Sequence, residues 1–368
     1  MKVKRVKILH IANMNTDSGV ACFLMNYIRN VDFAYFEMDF VCWNKREDNF
    51  YDEIKKLGGR IFTVTSYKKN PISFLGNIRA IVKNGNYDII HGHEAIMSIP
   101  AFVFAKSIGV KTRIAHSHNS DMESQIKDFI VKMCRPVFKK VCTDYLACSS
   151  KAGSYLFGNQ LFKDKGNVLH NAIDLENFKF SMELRRGMRG RLGLKDELVF
   201  GHVGRFNEQK NHEFLIDIFQ EIYKRKADSK LVLIGEGEKL DQIKDEVMKK
   251  DLKDNVIFLG IQKNVSEWMQ AMDVFLFPSL FEGLGIVLIE AQTSGLMCYC
   301  SSEVPEEADC GRLSYMSLSD SKVRWAEEIL NGIIENRDNA YLQVREAGYD
   351  IITETKKLLK YYNEKVNQ

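Results

Sequence analysis

The sequence predicts an α/β protein of two consecutive doubly wound domains, and three observations carry that prediction. Short β-branched runs alternate with longer amphipathic stretches, the rhythm of βαβ units around a mainly parallel sheet. The rhythm stops once, near residues 174–193, and then restarts. The chain is 368 residues long, more than one core usually organises, so two domains of similar size are expected.

In the first half, strands are expected at Val6 to Ala12, Phe36 to Cys42, Arg60 to Val64, Asp88 to His91, Thr112 to His116, Tyr145 to Cys148 and Val168 to His170. Between them, helix-period segments run from Ala21 to Asn30, Asp48 to Leu57, Ile72 to Asn84, Ile96 to Ile108, Asp121 to Val141 and Lys151 to Phe157. Asp174 to Gly193 holds Arg185, Arg186, Arg189 and Arg191 with no clear strand, and is the candidate linker. The second half alternates strands at Leu198 to Val203, Lys230 to Ile234, Val256 to Leu259, Val274 to Pro278 and Met297 to Cys300 with helices at Glu213 to Lys226, Lys239 to Lys249, Val265 to Ala271 and Ile286 to Ser294. Domain boundaries are placed at 1–180 and 181–345, with 346–368 a terminal helix returning to the first domain. In sheets of this kind ligands bind beyond the carboxyl ends of the strands, which singles out the loops there.

Formal net charge is only +3, which argues against a protein devoted to binding nucleic acid. The eight cysteines show no CxxC pair or zinc spacing and read as reduced core residues. No window has the 18 or more apolar residues a spanning helix needs, and the start is not a signal peptide, so a cytoplasmic protein, soluble or lying on a membrane surface, is expected.

The sharpest loop is Phe277-Pro278-Ser279-Leu280-Phe281-Glu282-Gly283-Leu284-Gly285, followed by a helix that carries Glu290. Two glycines admit a ligand to the backbone, and the helix start offers free N–H groups. The two carboxylates are suited to sugar hydroxyls, since they would repel a phosphate. After the first strand of the second domain, Arg205 and Lys210 suit the charge of a diphosphate. Ile234-Gly235-Glu236-Gly237-Glu238 is a glycine turn that could admit a nucleotide, and Gly19 permits a close approach after the first strand. The dinucleotide, P-loop and serine-elbow motifs are absent. Two His-x-His pairs, His91 with His93 and His116 with His118, invite a metal reading, but only Glu94 lies near them as a carboxylate and no metal is expected.

Taken in order, these stretches resemble the retaining glycosyltransferases of family 4. The hallmark of that family is a Glu, seven residues and a second Glu, here Glu282 and Glu290. Asp88-Ile89-Ile90-His91, Ala115-His116-Ser117-His118-Asn119, Asn171-Ala172-Ile173-Asp174 and Val203-Gly204-Arg205 with Lys210-Asn211 extend the likeness over nearly the whole chain, most closely to capsule and exopolysaccharide members. The resemblance implies a GT-B fold, two Rossmann-like α/β/α domains facing across a cleft. It implies that Arg205 and Lys210 bind the donor diphosphate, Glu290 the ribose and Glu282 the transferred sugar, with Gly283, Leu284 and Gly285 completing the seat. His118 would lie near the reacting sugar, with His116 as the alternative, and Gly19 under the diphosphate. No cofactor is implied, and the missing DxD motif agrees with metal-independent transfer.

The expected activity is retaining transfer of a hexose or N-acetylhexosamine from a nucleotide sugar, foremost a UDP-sugar, to a glycan or lipid-linked saccharide. A nucleotide-sugar epimerase or a non-catalytic partner subunit of the same fold are the alternatives. The basic amphipathic stretch Gln125 to Val141 reads either as a contact with the inner-membrane surface or as an ordinary surface helix. One departure from the family is the run Gly295-Leu296-Met297-Cys298, which lacks the usual proline after the glycine.

Overall fold

The computed structural model describes residues 5–16, 18–119, 125–334 and 336–367, with the backbone alone for 125–127. Its contacts divide the chain into two compact units, residues 1–173 with 350–368 and residues 174–349. The first holds a seven-stranded sheet of β1 (Val6–Ile11), β2 (Phe36–Cys42), β3 (Arg60–Thr63), β4 (Ile89–Gly92), β5 (Thr112–Ser117), β6 (Asp144–Ala147) and β7 (Gly166–Val168), in the order β3-β2-β1-β4-β5-β6-β7. The second holds β8 (Leu198–Val203), β9 (Ser229–Ile234), β10 (Val256–Phe258), β11 (Val274–Phe277), β12 (Met297–Ser301) and β13 (Leu313–Met316), ordered β10-β9-β8-β11-β12-β13. Every pairing between these strands is parallel. Both sheets therefore reverse direction once, at β1/β4 and at β8/β11, and the crevice beyond the carboxyl ends there is where such sheets take ligands.

The parallel strands read as continuous apolar runs because both faces are covered. In the first unit Ile8, Phe40 and Ile114 pack with Phe23 and Leu24 of helix Gly19–Ile28 and with Leu358 and Tyr362 of the last helix, Ile351–Asn367. That helix is fixed by polar contacts as well. The Tyr361 hydroxyl donates to Asp144 at 2.8 Å, and Lys365 Nζ lies 2.6 Å from the same carboxylate. In the second unit Phe200, Leu233 and Leu276 meet Ile216, Phe219 and Trp325.

Two expectations are corrected. Residues 174–193 are no linker, because they form helices Leu175–Phe178 and Met182–Arg191 within the second unit. The arginines that marked the segment are what hold it there. Arg185 and Arg189 both donate to Asp273, Arg185 also to the carbonyls of residues 270–272 and Arg189 to that of Ala271, and Asp273 also accepts from the backbone N–H of Val199 at 2.8 Å. Removing that carboxylate strands two part-buried guanidinium groups, so Asp273→Ala is expected to cost about 3–5 kcal/mol. Urea unfolding checks this, and a loss under about 1 kcal/mol would contradict it. The cysteines are the second correction. All eight are free and six are buried, but Cys22 is exposed and Cys134 half-buried.

β13 and helices Asn159–Lys165, Lys322–Asn331 and Ala340–Glu346 were not anticipated from the sequence. Among the described residues, no helix is long and apolar enough to cross a membrane.

Candidate functional site

In the second unit, the loops after β8 and β11 meet at the switch point. His202 in β8 joins the strands through its Nδ1, 2.8 Å from the carbonyl of Leu276. Asn211, in the left-handed region at φ 52°, donates from Nδ2 to the carbonyl of Pro278 at 3.1 Å. Gln209 Nε2 donates to the carbonyl of Phe281, and the N–H of Leu280 donates to the carbonyl of Gln209, both at 2.8 Å. These bonds knit the basic loop to the glycine loop. The sequence reading gave Gln209 and Asn211 no role, since neither residue type marks a clamp without its partner carbonyl.

Lys210 and Glu282 are brought together outright. Lys210 Nζ donates to Glu282 Oε1 at 2.6 Å, and their side chains are only 16% and 7% exposed. The ammonium also lies 4.5 Å from the centre of the Phe277 ring, so it is held from two sides. Arg205 differs. It lies on the surface, 66% exposed, with Glu238 at 3.3 Å. Gly283, Leu284 and Gly285 follow Glu282, and Gly285 begins helix Ile286–Thr293 at φ +81°, where a Cβ would come within 3.2 Å of the Phe277 ring. That conformation is one glycine adopts without strain. The glycine turn after β9 packs against the loop after β8. A Cβ on Gly235 would sit 2.0 Å from the carbonyl oxygen of Gly204.

Glu290 projects from helix Ile286–Thr293, and desolvation pushes its carboxyl up to about 8. A carboxyl kept neutral by burial is a common mark of a functional cleft. Ser279 Oγ is buried in the same loop without a hydrogen-bond partner among the described residues.

In the first unit, the carboxyl ends of β1, β4 and β5 gather five histidines. The β1–β4 register sets His10 beside His91. Ring nitrogens of His10 and His93 lie 3.1 Å apart, as do those of His93 and His118, and the His116 and His118 rings stack at 4.1 Å. The Tyr362 hydroxyl meets His91 Nδ1 at 2.7 Å, and the Phe23 ring lies against His116 and His118. Burial drives all five below the ordinary imidazole range, His10 and His118 to about 3, so at neutral pH they are uncharged.

His118 and His116 are thus adjacent, while His10 and Tyr362 are members the sequence reading missed. His10 could have been found from its place at the end of a strand next to the switch point; Tyr362 carried no such signal. Gly19 opens helix Gly19–Ile28 behind the Ser18 cap, and among the described residues, its chain neighbours and own helix backbone aside, no atom lies within 4 Å of where its Cβ would be.

Helix Gln125–Val141 buries Val131 and Phe138 while Phe129, Ile130 and Met133 remain exposed. The side chain of Lys127, part of the basic pattern, lies outside the described residues.

The sequence matches known proteins over most of its length. The profile of the glycosyl transferases group 1 matches residues 186–309, and that of glycosyltransferase family 4 matches residues 18–177. The chain is 32% identical to the "Putative glycosyltransferase EpsF" of Bacillus subtilis (strain 168), over 99% of its own length and 98% of that protein. It is 27% identical to the UDP-Gal:alpha-D-GlcNAc-diphosphoundecaprenol alpha-1,3-galactosyltransferase of Escherichia coli, covering 81% of this chain and 80% of that one. Among solved structures, Anabaena HepE in complex with UDP and glucose superposes with a TM-score of 0.80 at 16% identity, over 98% of this chain and all of that one.

Proposed function

The chain belongs to glycosyltransferase family 4 and has the GT-B fold, and we propose that it is a retaining, metal-independent enzyme of capsule or exopolysaccharide synthesis. It moves a hexose or N-acetylhexosamine from a UDP-sugar to a glycan or lipid-linked saccharide. The observation that carries this reading is the Lys210–Glu282 pair, 2.6 Å apart at the switch point of the second sheet. A buried cation beside a carboxylate is suited to a ligand with a diphosphate at one end and sugar hydroxyls at the other. Uridine is favoured because HepE is seen with UDP and the Escherichia coli relative is named for UDP-Gal.

In this reading Lys210 and the exposed Arg205 neutralise the charge that grows on the diphosphate as the bond from sugar C1 to phosphate oxygen breaks. Glu282 accepts from the sugar hydroxyls, Glu290 from the ribose, and the N–H groups from Gly283 to Gly285 complete the seat. The acceptor hydroxyl attacks C1 on the face the diphosphate leaves, and its proton passes to the departing phosphate oxygen. On the first unit, His118, with His116 behind it, and Gly19 are the residues assigned to the donor. The open space at Gly19 supports that assignment, since among the described residues no packed neighbour fills the place of its Cβ.

The exposed Phe129, Ile130 and Met133 with Lys132, Lys139 and Lys140 support docking of helix Gln125–Val141 on an anionic membrane surface, where a lipid-linked acceptor resides.

The reading is tested by incubating the protein with single UDP-sugars and an undecaprenyl-diphosphate saccharide, and assigning the new linkage by NMR. An α-linkage from an α-linked donor is expected. A β-linkage would overturn retention, and no transfer from any UDP-sugar would overturn the reading.

A further inference from the structure

The histidines at the ends of β1 and β4 are more than a packed core. Two of their buried ring nitrogens, His10 Nε2 and His91 Nε2, and both nitrogens of neighbouring His116 lack any hydrogen-bond partner among the described residues. Buried polar atoms are nearly always satisfied, so the unpartnered His91 Nε2, beside His10 and His93, calls for a missing partner.

The geometry says what that partner is. His10, His91 and His93 each offer one ring nitrogen, all within 4.8 Å of one another. Three points so spaced lie within about 2.8 Å of a common centre, and a contraction of about 0.7 Å reaches the 2.0–2.1 Å of a zinc–imidazole bond. One edge is already closed. His10 Nδ1 and His93 Nε2 are 3.1 Å apart, close to the roughly 3.3 Å between two ligands of one tetrahedral ion.

His91 supplies the independent sign. Its Nδ1 is tied to the Tyr362 hydroxyl at 2.7 Å, which leaves Nε2 as the buried, unpartnered nitrogen. Metal-binding histidines are commonly held in this way, the second nitrogen fixed by an outer hydrogen bond. Three neutral imidazoles without a carboxylate or thiolate suit the zinc, cobalt, nickel and copper group and not magnesium or calcium.

We propose that His10, His91 and His93 form a binding site for one first-row divalent ion of the zinc class, separate from the donor seat on the second unit. The ion clips β1 to β4 and is held by side chains distant in sequence, His10 and His93 being 83 residues apart, with Tyr362 of the last helix as outer support. It also orders the neighbouring ring. With the ion on His93 Nε2, the proton of His93 lies on Nδ1 and is donated to His118 Nε2 at 3.1 Å, so that His118 keeps its own proton on Nδ1. Without the ion, the chain of rings can run in either direction.

The test uses tag-free full-length protein, stripped with a chelator, loaded with Zn²⁺, desalted and analysed for metal. About one equivalent is expected in the wild type, and its loss in His10→Asn and His91→Asn. Tyr362→Phe keeps all three ligands and is expected to weaken binding about ten- to a hundredfold. Should the histidine variants fail to fold, electron paramagnetic resonance of the Cu²⁺-loaded wild type is expected to show several imidazole nitrogens on one copper. A wild type that retains no metal, variants that retain it in full, or a copper spectrum without nitrogen couplings would each overturn the proposal.

Discussion

Glu282→Gln and Lys210→Ala are each expected to reduce kcat/KM for sugar transfer by about a thousandfold, roughly 4 kcal/mol of transition-state stabilisation, in a protein that still folds. The pair is buried and 2.6 Å apart, so removing Lys210 takes away the cation that stands between the Glu282 carboxylate and a departing diphosphate. Repulsion then replaces neutralisation where charge develops. Removing the Glu282 charge has the opposite fault, since Lys210 keeps its charge but the sugar hydroxyls lose their acceptor. A purely structural ion pair predicts something else. Breaking it would cost about 3–5 kcal/mol of stability, and the double variant Lys210→Met with Glu282→Gln would recover both stability and activity. The donor reading expects stability to recover and transfer to stay lost. Activity within a few-fold of wild type in either single variant would remove both residues from the site.

Glu290→Gln is expected to abolish a proton release that accompanies donor binding in the wild type. The Glu290 carboxyl titrates near 8 in the fold against an ordinary 4.5, raised by desolvation. Between those values the folded protein holds a proton the unfolded chain has already given up, so stability falls as pH rises through that window. The effect is on the order of a few kcal/mol and is absent from Glu290→Gln, which becomes the more stable protein at pH 8. At neutral pH this upward shift favours the protonated carboxyl. Ribose hydroxyls donating to the carboxylate favour its charged form, so binding a UDP-sugar releases on the order of one proton per site. The sugar diphosphate has no proton of its own to lose near neutrality. Calorimetry in two buffers of different ionisation enthalpy reads the release directly. An enthalpy independent of buffer in the wild type would show that Glu290 does not meet the donor.

Much of the fold was legible because parallel sheets advertise themselves. Buried strands such as Leu198–Val203 and Phe36–Cys42 are short apolar runs, and their helices keep a clean period. Segment 174–193 was illegible for the opposite reason. Its helix Met182–Arg191 is polar on most faces and is held by Arg185 and Arg189 on Asp273, some 85 residues away, which no local pattern encodes. The candidate site divides in the same way. Lys210, Glu282 and Gly285 announce themselves by type and spacing, but that Lys210 bonds Glu282 while Arg205 lies exposed beside Glu238 depends on how two loops meet. The histidine cluster shows the limit most plainly. Two His-x-His pairs were visible, whereas the partner that turns one into a three-nitrogen group, His10, comes from the neighbouring strand through register alone.

The central claim is that the second unit seats a nucleoside diphosphate sugar through Lys210, and ligand-dependent thermal stabilisation tests it most directly. Wild type and Lys210→Ala are heated with UDP, GDP, ADP, TDP and their sugars, with and without EDTA. A ligand that binds only the folded state at a hundred times its Kd adds about 2.7 kcal/mol, a shift of several degrees. The expected result is a rise with uridine ligands in the wild type, of equal size with EDTA, and none in Lys210→Ala. No rise with any nucleotide, or an equal rise in Lys210→Ala, would contradict the claim.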